Sequence, residues 1–177
     1  MSPLIAAGIT WQAITNAVPV HARINVSTIN TFAFDDGGGS AFIVPVRVES
    51  AVTPEAAGPL EAIRDGWIVD LVAFHPSHPG RWALRRGAAE WLGVIEPQYL
   101  DPEPVPVWRT PLRWLQSGCR GLVLLSKERA SQYRIISGLG AIVAEDYQHA
   151  TQLRGILAHP WSAPRVLLRR EEARHAA

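Results

Sequence analysis

The side chains best suited to chemistry lie in a few short stretches. His75 and His78 stand in FHPSHPG, an H-x-x-H spacing stiffened by Pro76 and Pro79. Two imidazoles so placed can share a metal ion, or one can serve as a general base. Glu145 and His149, four residues apart, would complete a four-ligand metal set with them if both project from one helix face. The plainer reading is that histidine pairs in loops are common and carry no ligand. Lys127, the only lysine, follows Ser126; Arg109 precedes Thr110; Asp146 follows Glu145.

What unites these residues is position rather than motif. Each falls just after an apolar run of strand length: Trp67–Phe74, Val105–Trp108, Gly121–Leu125 or Ala141–Ala144. In an open parallel sheet, ligands bind beyond the carboxyl ends of the strands, where loops and helix N-termini converge. On that reading His75, Lys127 and Glu145 are the catalytic candidates. His78, Arg109, Thr110, Ser126 and Asp146 are the ligand-binding candidates. Each has a bland alternative. Thr110, Ser126 and Asp146 suit helix N-caps, and Lys127 and Glu145 suit a solvated surface.

A second group is basic. Arg81, Arg85 and Arg86, with Trp82 beside them, fall in a segment read as a helix over 81–92, and could contact nucleic acid. A solvated helix face is the simpler account, with Arg86 paired to Glu90. Asp35 and Asp36 in FDDGGGS lack calcium-loop spacing and suit a turn.

Several chemistries are excluded by pattern. GGGSAF lacks the Lys-Ser/Thr of a phosphate-binding P-loop, and no G-x-G-x-x-G, H-E-x-x-H or G-x-S-x-G occurs. A single cysteine, Cys119, allows no zinc-binding pair and no intramolecular disulfide, and suits packing better than nucleophilic attack. No cofactor is expected.

The elements that must position these groups follow from periodicity. A short helix is expected at Trp11–Ala17 and an alternating strand at Val20–Ser27. Ile29–Phe34 and Ala41–Val48 flank FDDGGGS as an antiparallel hairpin, with Pro45 pushing the second arm to an edge or bulge. Residues 51–66 form a Pro/Ala-rich connection. Beyond it strands and helices alternate. Thr110-Pro111 starts one helix, Ser126 another closed by Gly138, and Asp146 a third. Arg165–Arg169 is a last strand, and 171–177 a charged tail. The expected fold is therefore α/β: a small parallel or mixed sheet with flanking helices, preceded by an N-terminal antiparallel β-hairpin region. All 177 residues form one domain.

Charge is uneven although the net is +1. Residues 1–80 carry three Arg against seven acids, and residues 81–177 carry thirteen Arg and one Lys against nine acids. Arg-rich composition points only loosely to anionic partners. No apolar run approaches the ~18 residues of a membrane span, and the N-terminus lacks the basic start of a signal peptide. With one cysteine, a soluble cytoplasmic protein with no membrane partner is expected.

Three functional classes stay open. One is a non-catalytic binding or accessory module acting on a protein partner, favoured by the lack of a catalytic motif. The second is a small enzyme or polar-ligand-binding domain using the strand-end cluster. The third is a nucleic-acid-associated accessory protein.

Overall fold

A computed structural model describes residues 3–48, 67–93 and 103–158, and the backbone of 165–168. Strands β1 (Val20–Val26), β2 (Phe32–Phe34), β3 (Gly39–Val48), β4 (Trp67–Phe74) and β5 (Trp82–Leu84) form an antiparallel sheet in the order β2-β1-β3-β4-β5. The sheet curls until its edges touch. Thr31, beside β2, bridges Leu84 of β5, and the Leu84 N–H donates to the Asn30 carbonyl at 3.2 Å. Period-two alternation turns Ile24, Ala41, Ile43, Ala73 and Ala83 inward with Phe32. Three of these are alanines, because the inside of so tightly curled a sheet has little width for side chains.

The opposite face of β3, β4 and β5 carries Phe42, Val44, Val46, Val72, Phe74 and Leu84 into the main core. There they meet Leu4 from helix α1 (Pro3–Ala6), Ala13 from α2 (Trp11–Ala17), and Leu112, Trp114 and Leu115 from α3 (Pro111–Gln116). Each large apolar side chain so buried contributes roughly 1.5–3 kcal/mol.

A second sheet closes this core from the other side. Its order is β10-β9-β7-β8-β6, built from β6 (Trp91–Leu92), β7 (Val105–Trp108), β8 (Leu122–Leu124), β9 (Ala141–Ala144) and β10 (Arg165–Leu168). Four strands run parallel and β6 lies antiparallel on β8. Leu92, Trp108 and Val123 face the main core. Val105, Val107, Leu122 and Ile142 face a separate core with Ile135 and Ile136 of α4 (Arg129–Ser137) and Ala150, Leu153 and Leu157 of α5 (Tyr147–Leu157).

The expected α/β layer with flanking helices is thus corrected. The protein is mostly β, a curled antiparallel sheet joined to a mixed sheet, and the helices among the described residues span 4–11 residues. The error began at Trp67–Phe74. An apolar run of that length also suits an antiparallel strand buried on both faces, and β4 is such a strand, lying between β3 and β5.

The helix expected over 81–92 is absent for a visible reason. Asp70, 3 % exposed, takes the N–H groups of Arg86, Ala88 and Ala89 on its carboxylate, at 2.9, 2.7 and 3.2 Å. It also takes that of Leu71 at 2.8 Å. These bonds hold 86–89 as a loop, and Gly87 at φ +72 breaks any helical path. The expected hairpin also differs, since its two arms each pair with β1 rather than with each other. Pro45 is tolerated because the β1–β3 pairing ends at Ile43, so its missing N–H interrupts no rung there.

The connection 51–66, the tail 171–177 and Trp161 lie outside the described residues. No helix among the described residues is long and apolar enough to cross a membrane.

Candidate functional site

At one end of the curled sheet a cavity of about 740 Å³ opens where β1 ends, β3 begins and β4 turns into β5. Ile24, Ala41, Ala73 and Ala83 line it from the sheet, and Val26 and Trp82 from its walls. The β4–β5 turn adds His75, His78 and Arg81, while Asn30 lines it from the β1–β2 turn and Ser40 from the start of β3. From the second sheet comes Lys127, in the loop after β8.

The formally charged side chains that line the cavity, Arg81 and Lys127, are both cations. Arg81, Lys127 and two imidazoles line it, and no carboxylate does. Neither Arg81 nor Lys127 forms an ion pair among the described residues. The turn that presents the histidines is itself fixed: the His78 N–H donates to the His75 carbonyl, and Arg81 N–H to that of His78, both at 2.9 Å. His75 Nδ1 accepts from the Ser77 N–H at 3.1 Å, leaving Nε2 as its free donor when the ring is neutral. The two rings lie 5.8 Å apart between centroids. Ser40 Oγ is 2.6 Å from His21 Nε2.

A second polar cluster sits at the ends of β7 and β9. The Arg109 guanidinium donates to both oxygens of Asp146, one at 2.6 Å, and the Arg109 backbone N–H donates to Glu145 Oε1. Asp146 caps α5 by accepting from the His149 N–H at 2.7 Å, and His149 Nδ1 accepts from the Glu145 N–H at 3.2 Å. The hydrogen bonds from Arg109 hold Asp146 down to about 2. Burial, reinforced by the Arg109 charge, lowers His149 to about 4, so it is neutral at physiological pH. Every member of the cluster is committed to another, which makes it a structural clasp between adjacent parallel strands rather than an open site.

The sequence-derived candidates therefore divide. His75, His78 and Lys127 line one cavity, reaching it from two different sheets and not from the shared parallel rim that the strand-end argument required, while Glu145, Asp146 and Arg109 belong to the clasp. The four-residue metal set splits with them, and no group of three or more His, Cys, Asp or Glu among the described residues is placed to hold a metal. Thr110 caps α3, accepting from the Arg113 N–H at 3.2 Å. Ser126 accepts from the Glu128 N–H at 3.1 Å ahead of α4, whose N-cap is Glu128.

The basic trio is dispersed. Arg81 lines the cavity, Arg85 donates to the Phe32 carbonyl at 3.0 Å and lies over the Phe34 ring, and Arg86 follows β5 in the loop that Asp70 holds. Glu90 pairs with Arg134 instead of Arg86. The Cys119 thiol is pushed up to about 11 by burial, so it is not a thiolate at neutral pH.

Asn30 and Ser40 were not singled out by sequence, because Asn30 falls in a stretch that reads as a hairpin arm and Ser40 in one that reads as a turn. No protein-family model, curated protein or solved structure matches the chain.

Proposed function

We propose that this protein is a binding domain for a small organic anion, held in the cavity at the mouth of the curled sheet. The observation that carries the reading is a cavity lined by Arg81, Lys127, His75 and His78 with no acid among them. Uncompensated cations around an apolar base attract a ligand with a charged end and an apolar body. A volume of about 740 Å³ falls within the range of small-molecule sites.

The sheets supply the charges separately, Arg81 from the β4–β5 turn and Lys127 from the loop after β8. An occupied cavity would therefore tie the two halves of the fold together. Two exposed acids argue against a polyanion such as nucleic acid. Asp35 and Asp36 stand exposed in the turn that leads into Gly39 and Ser40, two residues that line the cavity.

Thermal unfolding with hexyl phosphate tests the proposal. A ligand at a hundred times its Kd stabilises by about 2.7 kcal/mol, which is a rise of several degrees for a chain of this size. The rise should shrink with added salt and vanish in Arg81→Ala/Lys127→Ala, which removes exposed side chains and leaves the unliganded melting point nearly unchanged. An equal rise in the double variant would place the anion elsewhere and end this reading.

A further inference from the structure

Resting on the anion-binding reading, we infer that the ligand is a nucleotide and that Asn30 reads its base, with adenine preferred. Three features of the cavity point this way together.

Asn30 lines the cavity with its backbone in the left-handed region, at φ +63. Its carbonyl accepts the Leu84 N–H, so the residue is pinned where the edges of the curled sheet meet. Its carboxamide makes no hydrogen bond among the described residues. A carboxamide offers one donor and one acceptor side by side, which matches the N6/N7 edge of adenine and leaves guanine, with two acceptors there, unmatched. A pinned backbone carrying an uncommitted carboxamide is a reading head rather than a strut.

The apolar surface suits a flat ring. Ala41, Ala73 and Ala83 present only methyl groups at the base. Arg81 and Lys127 then supply the phosphate contacts, a guanidinium fork and a point charge. The exposed acids Asp35 and Asp36, in the turn before Gly39, favour a mononucleotide over a strand.

Calorimetric titration of the full chain separates this inference from the reading beneath it. The probes are AMP, GMP, ribose 5-phosphate, hexyl phosphate and adenosine. AMP should bind about tenfold more tightly than ribose 5-phosphate, and more tightly than GMP. Asn30→Gly keeps the left-handed backbone while removing the carboxamide, so it should erase the preference for AMP over GMP and leave ribose 5-phosphate unaffected. Lys127→Ala should weaken every phosphate and leave adenosine unchanged. Ribose 5-phosphate or hexyl phosphate binding as tightly as AMP, with Lys127 dependence, would overturn the nucleotide inference and leave the anion site standing. No binding of any phosphate at millimolar concentration would overturn both.

Discussion

Arg109 lays its guanidinium against Asp146 through two parallel N–H···O bonds, tying the end of β7 to the N-cap of α5. Both side chains are about a third exposed, 30 % and 32 %, so solvent screens the pair. A double-mutant cycle of Arg109→Ala and Asp146→Ala should give a coupling of about 1 kcal/mol, the upper part of the range for exposed pairs. Asp146→Ala alone should cost about a further 1 kcal/mol for the lost cap. Chemical denaturation of the four proteins measures this, and zero coupling would show that the clasp holds nothing.

His149 makes the clasp sensitive to acid. Its folded pKa, about 4, lies below the ordinary 6.5, so the unfolded chain binds the proton first. Stability is therefore full above about pH 6.5 and falls as pH drops toward 4, by up to about 3 kcal/mol. Asp146, held at about 2, adds a further loss as pH falls through 3.8. Urea midpoints measured from pH 7 to 4 should decline in wild type and stay flatter in His149→Leu over that window. Equal slopes in the two proteins would contradict the assignment.

Asp70 is the most demanding buried group in the curled sheet. Burial pushes its carboxyl up, and bonds from the N–H groups of Arg86, Leu71, Ala88 and Ala89 more than reverse that, so it stays ionised. Asp70→Asn replaces one acceptor oxygen by a donor facing N–H groups, and should cost about 3 kcal/mol. A denaturation midpoint within error of wild type would mean the 86–89 loop is held by something else.

Gly118 and Gly121 share φ +78 but differ in surroundings. A Cβ on Gly121 would lie 2.1 Å from the Pro106 carbonyl oxygen, while one on Gly118 meets nothing within 4 Å. Gly118→Ala should cost about 1 kcal/mol, for backbone strain alone. Gly121→Ala should cost well over 3 kcal/mol, because the backbone of β7 must move. Thermal melts of the two variants make the comparison, and similar losses would refute it.

What the sequence made legible was local. Thr110 and Asp146 cap helices by side-chain bonds three residues ahead, and Ala141–Ala144 is a strand, because caps and short apolar runs carry their own signals. What escaped was long-range. Nothing within 81–92 announces that Asp70, at least sixteen residues upstream, will claim its amides. The same holds for the Thr31–Leu84 closure, which turns an alternating strand pattern into a cavity. His75 and Lys127 came together for a reason other than the one expected, since they approach from two different sheets. Asn30 was hidden by its place in a stretch that reads as a hairpin arm.

The sole lysine offers the most direct measurement of the central claim. Amine-reactive acylation of this chain can modify only Lys127 and the terminal amine, and peptide mass spectrometry reads the two separately. Saturating hexyl phosphate or AMP at low ionic strength should slow acylation of Lys127 at least fivefold and leave the terminal amine unaffected, since ligand at several times its Kd leaves only a small free fraction. An unchanged rate at Lys127 with both compounds would contradict an anion site in this cavity.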